Sequence, residues 1–156
     1  MRPQASHAES GFTLIELLYT MSIVGILSAM AMASFHVYRE DVEYRKAEYD
    51  LRNARTALEL GDQEAPAGLS VPLTDTDTSG GPVLGALADI LPGAVTSPDV
   101  LLGAQYQSCE NRDPANWTIN QLLLSRPCKA DRYTSYLKHC NGVEVIQRNL
   151  AQGDVC

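Results

Sequence analysis

Glu16 is the single charged residue in a run of 24, from Phe12 to Phe35 (FTLIELLYTMSIVGILSAMAMASF), and it stands four positions after the Gly11-Phe12 junction. An acidic side chain inside an apolar segment is unfavourable by a few kcal/mol on insertion scales, so it calls for a partner. Two readings follow from the residues. Glu16 is simply solvated at a headgroup boundary, or the chain is cut at Gly11-Phe12 and the new α-amino group, within one helical turn, pairs with Glu16 of the same chain or of a neighbouring copy.

Other residues offer weaker chemistry. Asp75 and Asp77 at i,i+2 could contribute oxygens to Ca²⁺, but a calcium site needs six or more and no EF-hand spacing is present, so a solvated loop is preferred. The chain has no GxSxG, no phosphate-binding glycine loop, no His/Cys metal set and no nucleophile beside a base. The expectation is therefore no enzyme, no metal and no cofactor. The net charge of -7 over 156 residues excludes nonspecific nucleic-acid binding by the whole surface, since a phosphate backbone needs a positive footprint.

The elements that carry these residues read in order. Residues 1–11 (MRPQASHAESG) are polar, with no apolar stretch before Gly11. A secretory signal places its apolar stretch ahead of the cut; here it follows, so trimming would leave it in the mature protein as a membrane anchor. Residues 12–35 exceed the roughly 20 needed to span the hydrocarbon of a bilayer and lack proline. Helix is the form in which a lone segment satisfies every backbone group in lipid. Residues 36–60 continue the helix without glycine or proline, and Gly61 supplies a stop. Val37, Tyr44, Ala47, Leu51, Ala54 and Leu58 recur at helical steps and form one face toward a head domain. Asp41 with Arg45 and Glu48 with Arg52 are i,i+4 pairs in the favourable order. A helix from Phe12 to Leu60 would measure about 73 Å, a length suited to a spine.

The Gly11-Phe12-Thr13-Leu14-Ile15-Glu16-Leu17-Leu18 sequence and its apolar continuation resemble the processing and assembly motif of type IV pilins, specifically over the leader junction and apolar run and more weakly to about Leu58. The resemblance implies that a prepilin peptidase cuts between Gly11 and Phe12, that the Phe12 amine is methylated, and that Thr13 and Glu16 serve assembly, with Glu16 neutralising the amine of an adjacent subunit. It implies a bacterial protein held in the inner membrane with its head outside the cytoplasm, then passed by the assembly machinery from the lipid bilayer into a helical homopolymer, as an extracellular pilus or a periplasmic pseudopilus. Gly25 matches a glycine common in the family. Ala33 stands where its helix-breaking proline is expected, and the leader ends Ser10-Gly11 after Glu9, where the family has a basic residue before glycine.

The remainder, 61–156, is read as the head. Val83 to Leu91 is expected to be a short helix closed by Pro92-Gly93, and Thr74 to Pro82 an exposed loop. Val100 to Tyr106 and Thr118 to Leu124 are strand candidates, with Leu122 to Leu124 also compatible with helix. Tyr133 to Cys140 and Val143 to Arg148 flank Asn141-Gly142, which predicts a two-residue turn placing His139 opposite Glu144 and Leu137 opposite Ile146. His139 is read as a surface pair member. Four cysteines allow three connectivities; Cys109 with Cys128 and Cys140 with Cys156 are preferred because each closes a modest loop and the second fastens the tail. A C-terminal disulfide loop also fits the resemblance. Arg126, Lys129, Arg132 and Lys138 form a basic surface for an adjoining subunit, with DNA or a negatively charged host surface as the other occupant. Asn116-Trp117-Thr118 fits a glycosylation sequon.

The fold expected is α+β: a long N-terminal helix spine packed on a small antiparallel sheet with C-terminal disulfides. The function expected is a structural pilus subunit supporting adhesion or twitching motility, with a minor pilin, a type II secretion pseudopilin or a DNA-binding or adhesive pilin as the alternatives.

Overall fold

One helix, α1, runs from Leu14 to Glu64, 51 residues without interruption. The computed structural model describes residues 11–109, 118–153, 155 and 156. The leader before Gly11 and most of the Asn116-Trp117-Thr118 sequon lie outside these residues. The helix continues unbroken through position 33, and Gly25 has nothing within 4 Å of where a Cβ would stand. It also passes Gly61, which the sequence marked as its end. Gly61 serves close approach instead: a Cβ there would lie 2.4 Å from the carbonyl oxygen of Ile90. The helix ends at Glu64 just ahead of Pro66, whose ring disfavours helical backbone at the preceding residue.

The chain divides into two compact units, 1–38 and 39–156. In the first, every described residue whose side-chain burial is defined is exposed. The second has its own core. Its five-stranded antiparallel sheet follows the order β1 (Ser70–Asp75), β4 (Val100–Gln107), β5 (Ile119–Pro127), β6 (Arg132–His139), β7 (Glu144–Ala151). A separate two-stranded ladder joins β2 (Gly81–Pro82) to β3 (Val95–Thr96). Leu51, Ala54 and Leu58 of α1 pack with Leu102, Ala104, Tyr106, Leu123 and Tyr136 of the sheet and with Leu87, Ile90 and Leu91 of the intervening loop. Tyr44 and Ala47 of the expected helix face are also buried, but Val37 is 70% exposed. The four C-terminal strands match the runs expected, and Leu122 to Leu124 is strand. The expected Val83–Leu91 helix contracts to a 3-10 turn at Gly85–Leu87, and the expected Thr74–Pro82 loop contributes its first two residues to β1 and its last two to β2.

Two expectations about the C-terminal half are corrected. The β6–β7 hairpin pairs Lys138 with Glu144, Leu137 with Val145 and Tyr136 with Ile146, one residue off the predicted register. The loop has three residues rather than two: the Gly142 amide donates to the His139 carbonyl at 2.8 Å, the His139 amide donates to the Val143 carbonyl at 2.9 Å, and Gly142 takes φ +85°. A turn closed by a left-handed glycine is the usual three-residue solution, and the one-residue slip exchanges the faces on which the paired side chains stand.

The disulfides join Cys109 to Cys140 and Cys128 to Cys156, with Cα separations of 5.7 and 5.4 Å. The expected pairs Cys109–Cys128 and Cys140–Cys156 are excluded by the meander. Cys109 follows β4 and Cys128 follows its antiparallel neighbour β5, so they lie at opposite ends of a nine-residue strand, about 30 Å apart at the usual rise per residue. Cys140 and Cys156 are separated in the same way by β7. A bridge needs Cα atoms within about 7 Å, which alternate strand ends provide and consecutive ones do not.

Gly61→Ala should lower stability by about 2 kcal/mol despite alanine's better helix propensity, because the new methyl meets backbone and cannot be relieved by a rotamer change. Thermal melts of the two proteins check this; an unchanged or raised melting temperature would show that Gly61 is not a contact glycine.

Candidate functional site

The N-terminal candidates sit at the start of α1. Gly11 and Phe12 precede the helix in irregular, exposed backbone, and Thr13 stands immediately before its first residue. The Glu16 amide donates to the Thr13 hydroxyl oxygen at 3.4 Å and the Leu17 amide to the Thr13 carbonyl at 3.2 Å. Thr13 is thus the N-cap, and Glu16 occupies the third helical position of a T-x-x-E capping box. That position sets a carboxylate against the positive end of the helix dipole. The four residues of the motif therefore have separate local tasks: Gly11 and Phe12 keep an accessible peptide bond outside the helix, Thr13 starts the helix, and Glu16 presents its charge in the first turn. The T-x-x-E spacing is the sequence signal for this capping role.

Around this acid the surface is apolar. Phe12, Leu14, Ile15 and Tyr19 are between 69% and 80% exposed. The helix is long and apolar enough to cross a membrane.

Three residues of the expected basic surface, Arg126, Lys129 and Arg132, are held in separate ion pairs. Arg126 pairs with Asp75, and Lys129 with Asp99 at 2.5 Å. Arg132 pairs with Asp41 at 2.8 Å and lies over the Tyr44 ring at 4.4 Å. Lys138 faces Glu144 across the hairpin, and Glu144 also receives Arg55. His139 lies at the end of β6, one position away from the Lys138–Glu144 pair.

Two of these contacts, Asp41–Arg132 and Arg55–Glu144, form part of a ladder absent from the sequence reading. Along α1, Asp41, Tyr44, Glu48 and Arg55 meet Arg132, the Asn149 amide, Arg148 and Glu144. The helix positions advance by three, four and seven, one stripe, while those of β7 decrease from Asn149 to Glu144. A bulge helps to aim it: Asn149 takes φ +55° where the β6–β7 register shifts, and its amide donates to the Tyr44 hydroxyl at 3.0 Å. Arg52 and Arg148 hold the Glu48 carboxyl below the usual carboxylate range.

One carboxylate is different. Asp50 is 2% exposed and accepts the Ser97 amide at 2.7 Å and the Ser97 hydroxyl at 2.9 Å, fixing the β3–β4 connection to α1. Burial raises its pKa above the ordinary value, against the opposing pull of Ser97 and Lys46.

With this geometry in place, three comparisons bear on identity. Residues 6–32 match the family described as the prokaryotic N-terminal methylation motif. The chain is similar to the type IV major alpha-pilin of Moraxella bovis, 26% identical over 126 residues, covering 74% of this chain and 79% of that one. It is also similar to the fimbrial protein EcpB of Eikenella corrodens, 34% identical over 53 residues, covering 34% of this chain and 33% of that one. No solved structure gives a significant match. A long N-terminal helix packed on an antiparallel sheet with two C-terminal disulfides defines a pilin-like α+β protein. With the methylation motif at its start, the chain is similar to type IV pilins in its N-terminal sequence and in its layout.

The two contrasting carboxylates predict opposite pH slopes. Asp50, raised in the folded state, contributes stability that is present in acid and lost as pH rises through its folded value; Glu48, lowered, contributes stability present at neutral pH and lost as pH falls through its folded value. In thermal melts from pH 3 to 7, stability relative to Asp50→Asn should therefore fall as pH rises, whereas stability relative to Glu48→Gln should grow. Parallel slopes would contradict the assignment.

Proposed function

We propose that the chain is a structural subunit of a type IV pilus: trimmed by a prepilin peptidase between Gly11 and Phe12, methylated at Phe12, and polymerised through its N-terminal helix. The observation that carries this reading is the pairing of an uncovered apolar segment with a single acid in its first turn. Among the described residues the apolar side chains of 12–32 and Phe35 are exposed, so lipid is their environment before assembly and other copies of the same helix are their environment after it. Glu16 makes the second environment specific. A trimmed neighbour brings an α-amino group, and in a dry filament core a carboxylate and an ammonium are tolerated only together.

The relatives bear the names of a major pilin and a fimbrial protein, which supports a filament-building role for this chain, with adhesion or twitching motility as the output. The inner membrane and its pilus machinery are the implied route, and no catalytic step is assigned to the chain itself. The minor-pilin and pseudopilin alternatives use the same N-terminal chemistry and differ in abundance at the cell surface. The DNA-binding alternative draws less support, because Arg126, Lys129 and Arg132 each have an acidic partner within the chain.

Glu16→Ala should leave the chain in the membrane but reduce surface filaments by about tenfold or more, as expected when a desolvated ion-pair partner is removed. Sheared-filament yield against total membrane protein measures this. Normal filaments from Glu16→Ala would remove the register role of the acid.

A further inference from the structure

The face of the five-stranded sheet turned away from α1 carries leucines where an antiparallel sheet with one wet side alternates to polar residues. On β5, Gln121, Leu123 and Ser125 are buried on the core side, while Leu122, Leu124 and Arg126 alternate to the other side and are only partly covered. The register carries this second face across the sheet. Leu122 is paired with Gln105 of β4 and Leu137 of β6, Leu137 with Val145 of β7, and Arg126 with Leu101. Leu73 of β1 joins them: a Cβ on Gly103 would lie 3.5 Å from the Leu73 Cδ1 and 3.6 Å from the Leu124 Cβ. None of the six apolar side chains on this face, from Leu73 to Val145, is buried or belongs to the core cluster. Val83, Leu87, Ile90, Leu91 and Ala94 pack with α1 on the opposite face, so among the described residues no element lies across this one.

Charge and area together select the occupant. The chain carries a net charge of -7, so two copies repel over most approaches, yet this face is neutral. Its polar residues Gln105, Ser135 and Gln147 carry no charge, Arg126 and Asp75 neutralise each other at one end, and His139 stands at the opposite end. At the usual strand spacing and rise, five strands of this length present roughly 600 Å². Two such faces bury about 1,200 Å² together, which reaches the range of specific protein interfaces. A two-fold pairing sets identical patches against each other, and because β5 is the central strand of the sheet, it places β5 of one copy over β5 of the other.

We propose that the outer face of the sheet docks on the same face of a second copy, sheet against sheet. Leu122 and Leu124 form the centre of the contact, with Leu73, Leu101, Leu137 and Val145 around them. Side chains of this kind interdigitate when two sheets pack about 10 Å apart, and the Arg126–Asp75 pairs fall at the rim, where water still reaches them. The contact does not rest on the filament reading. It uses strands between residues 70 and 151, whereas that reading uses residues 12–35, so either stands if the other fails.

The test is sedimentation equilibrium of the full chain in detergent micelles. The unaltered chain should dimerise reversibly, and Leu124→Lys and Leu124→Glu should each weaken dimerisation at least about tenfold, since like charges then meet close to the two-fold axis. An equimolar mixture of these two variants should recover dimerisation to within about threefold of the unaltered chain, because opposite charges now meet. Association through residues 12–35 would not show that rescue. Leu84→Lys, at a 79% exposed leucine outside this face, should leave dimerisation unchanged. Val145 lies on an edge strand and is 37% exposed, so Val145→Lys should fold normally and weaken dimerisation about threefold; it carries the test if a Leu124 variant melts early. A monomeric unaltered chain, a dimer indifferent to both Leu124→Lys and Val145→Lys, or a mixture of folded Leu124 variants no tighter than either alone would overturn the pairing.

Discussion

The apolar side chains of residues 12–32 and Phe35, exposed among the described residues, are the constraint on which the rest of this molecule depends. Hydrophobic surface on that scale must be removed from water, and a lone strand or loop in lipid would leave backbone groups unsatisfied. Helix is thereby imposed on residues 14 onward, and once imposed it needs a start. Thr13 provides it as N-cap, which in turn fixes Glu16 in the first turn. The carboxylate that would be costly deeper in the segment is placed where the helix dipole favours it.

The second unit solves a different problem, how a short stretch of the same helix can anchor a sheet. The apolar contribution of α1 to the core is small, resting on Leu51, Leu58 and several alanines. Alanine lets the strands approach closely but supplies little burial of its own. The ladder from Asp41 to Arg55 supplements this with bonds to β6 and β7, and Asp50 pins the connection before β4. Pairs this exposed contribute little individually; as a series along one stripe they specify which helix residue meets which strand residue. The disulfides complete the arrangement by tying alternate strand ends, Cys109 to Cys140 on one side of the meander and Cys128 to Cys156 on the other.

Local chemistry was legible from the sequence and long-range partnership was not. The helix, the four C-terminal strands and the Asn141-Gly142 turn all follow from periodicity and turn residues. So do the i,i+4 pairs Asp41–Arg45 and Glu48–Arg52, present at 2.7 and 3.1 Å. The errors share a cause. Gly61 was read as a stop because its contact with Ile90 lies 29 positions away. The hairpin register slipped by one because two- and three-residue loops share the same Asn-Gly signal. The cysteines were paired by loop length, although sheet topology decides which strand ends meet. Arg126, Lys129 and Arg132 looked like an open basic patch because Asp75, Asp99 and Asp41, which neutralise them, stand between 30 and 91 positions away.

The account turns on whether residues 12–35 begin the mature protein or merely anchor a longer one. Intact mass combined with N-terminal sequencing of protein recovered from cells decides this directly. The predicted result is a chain beginning at an N-methylated Phe12, with residues 1–11 removed. A chain that retains Met1 would contradict it, leaving Glu16 without an ammonium to meet and the segment an ordinary single-span anchor.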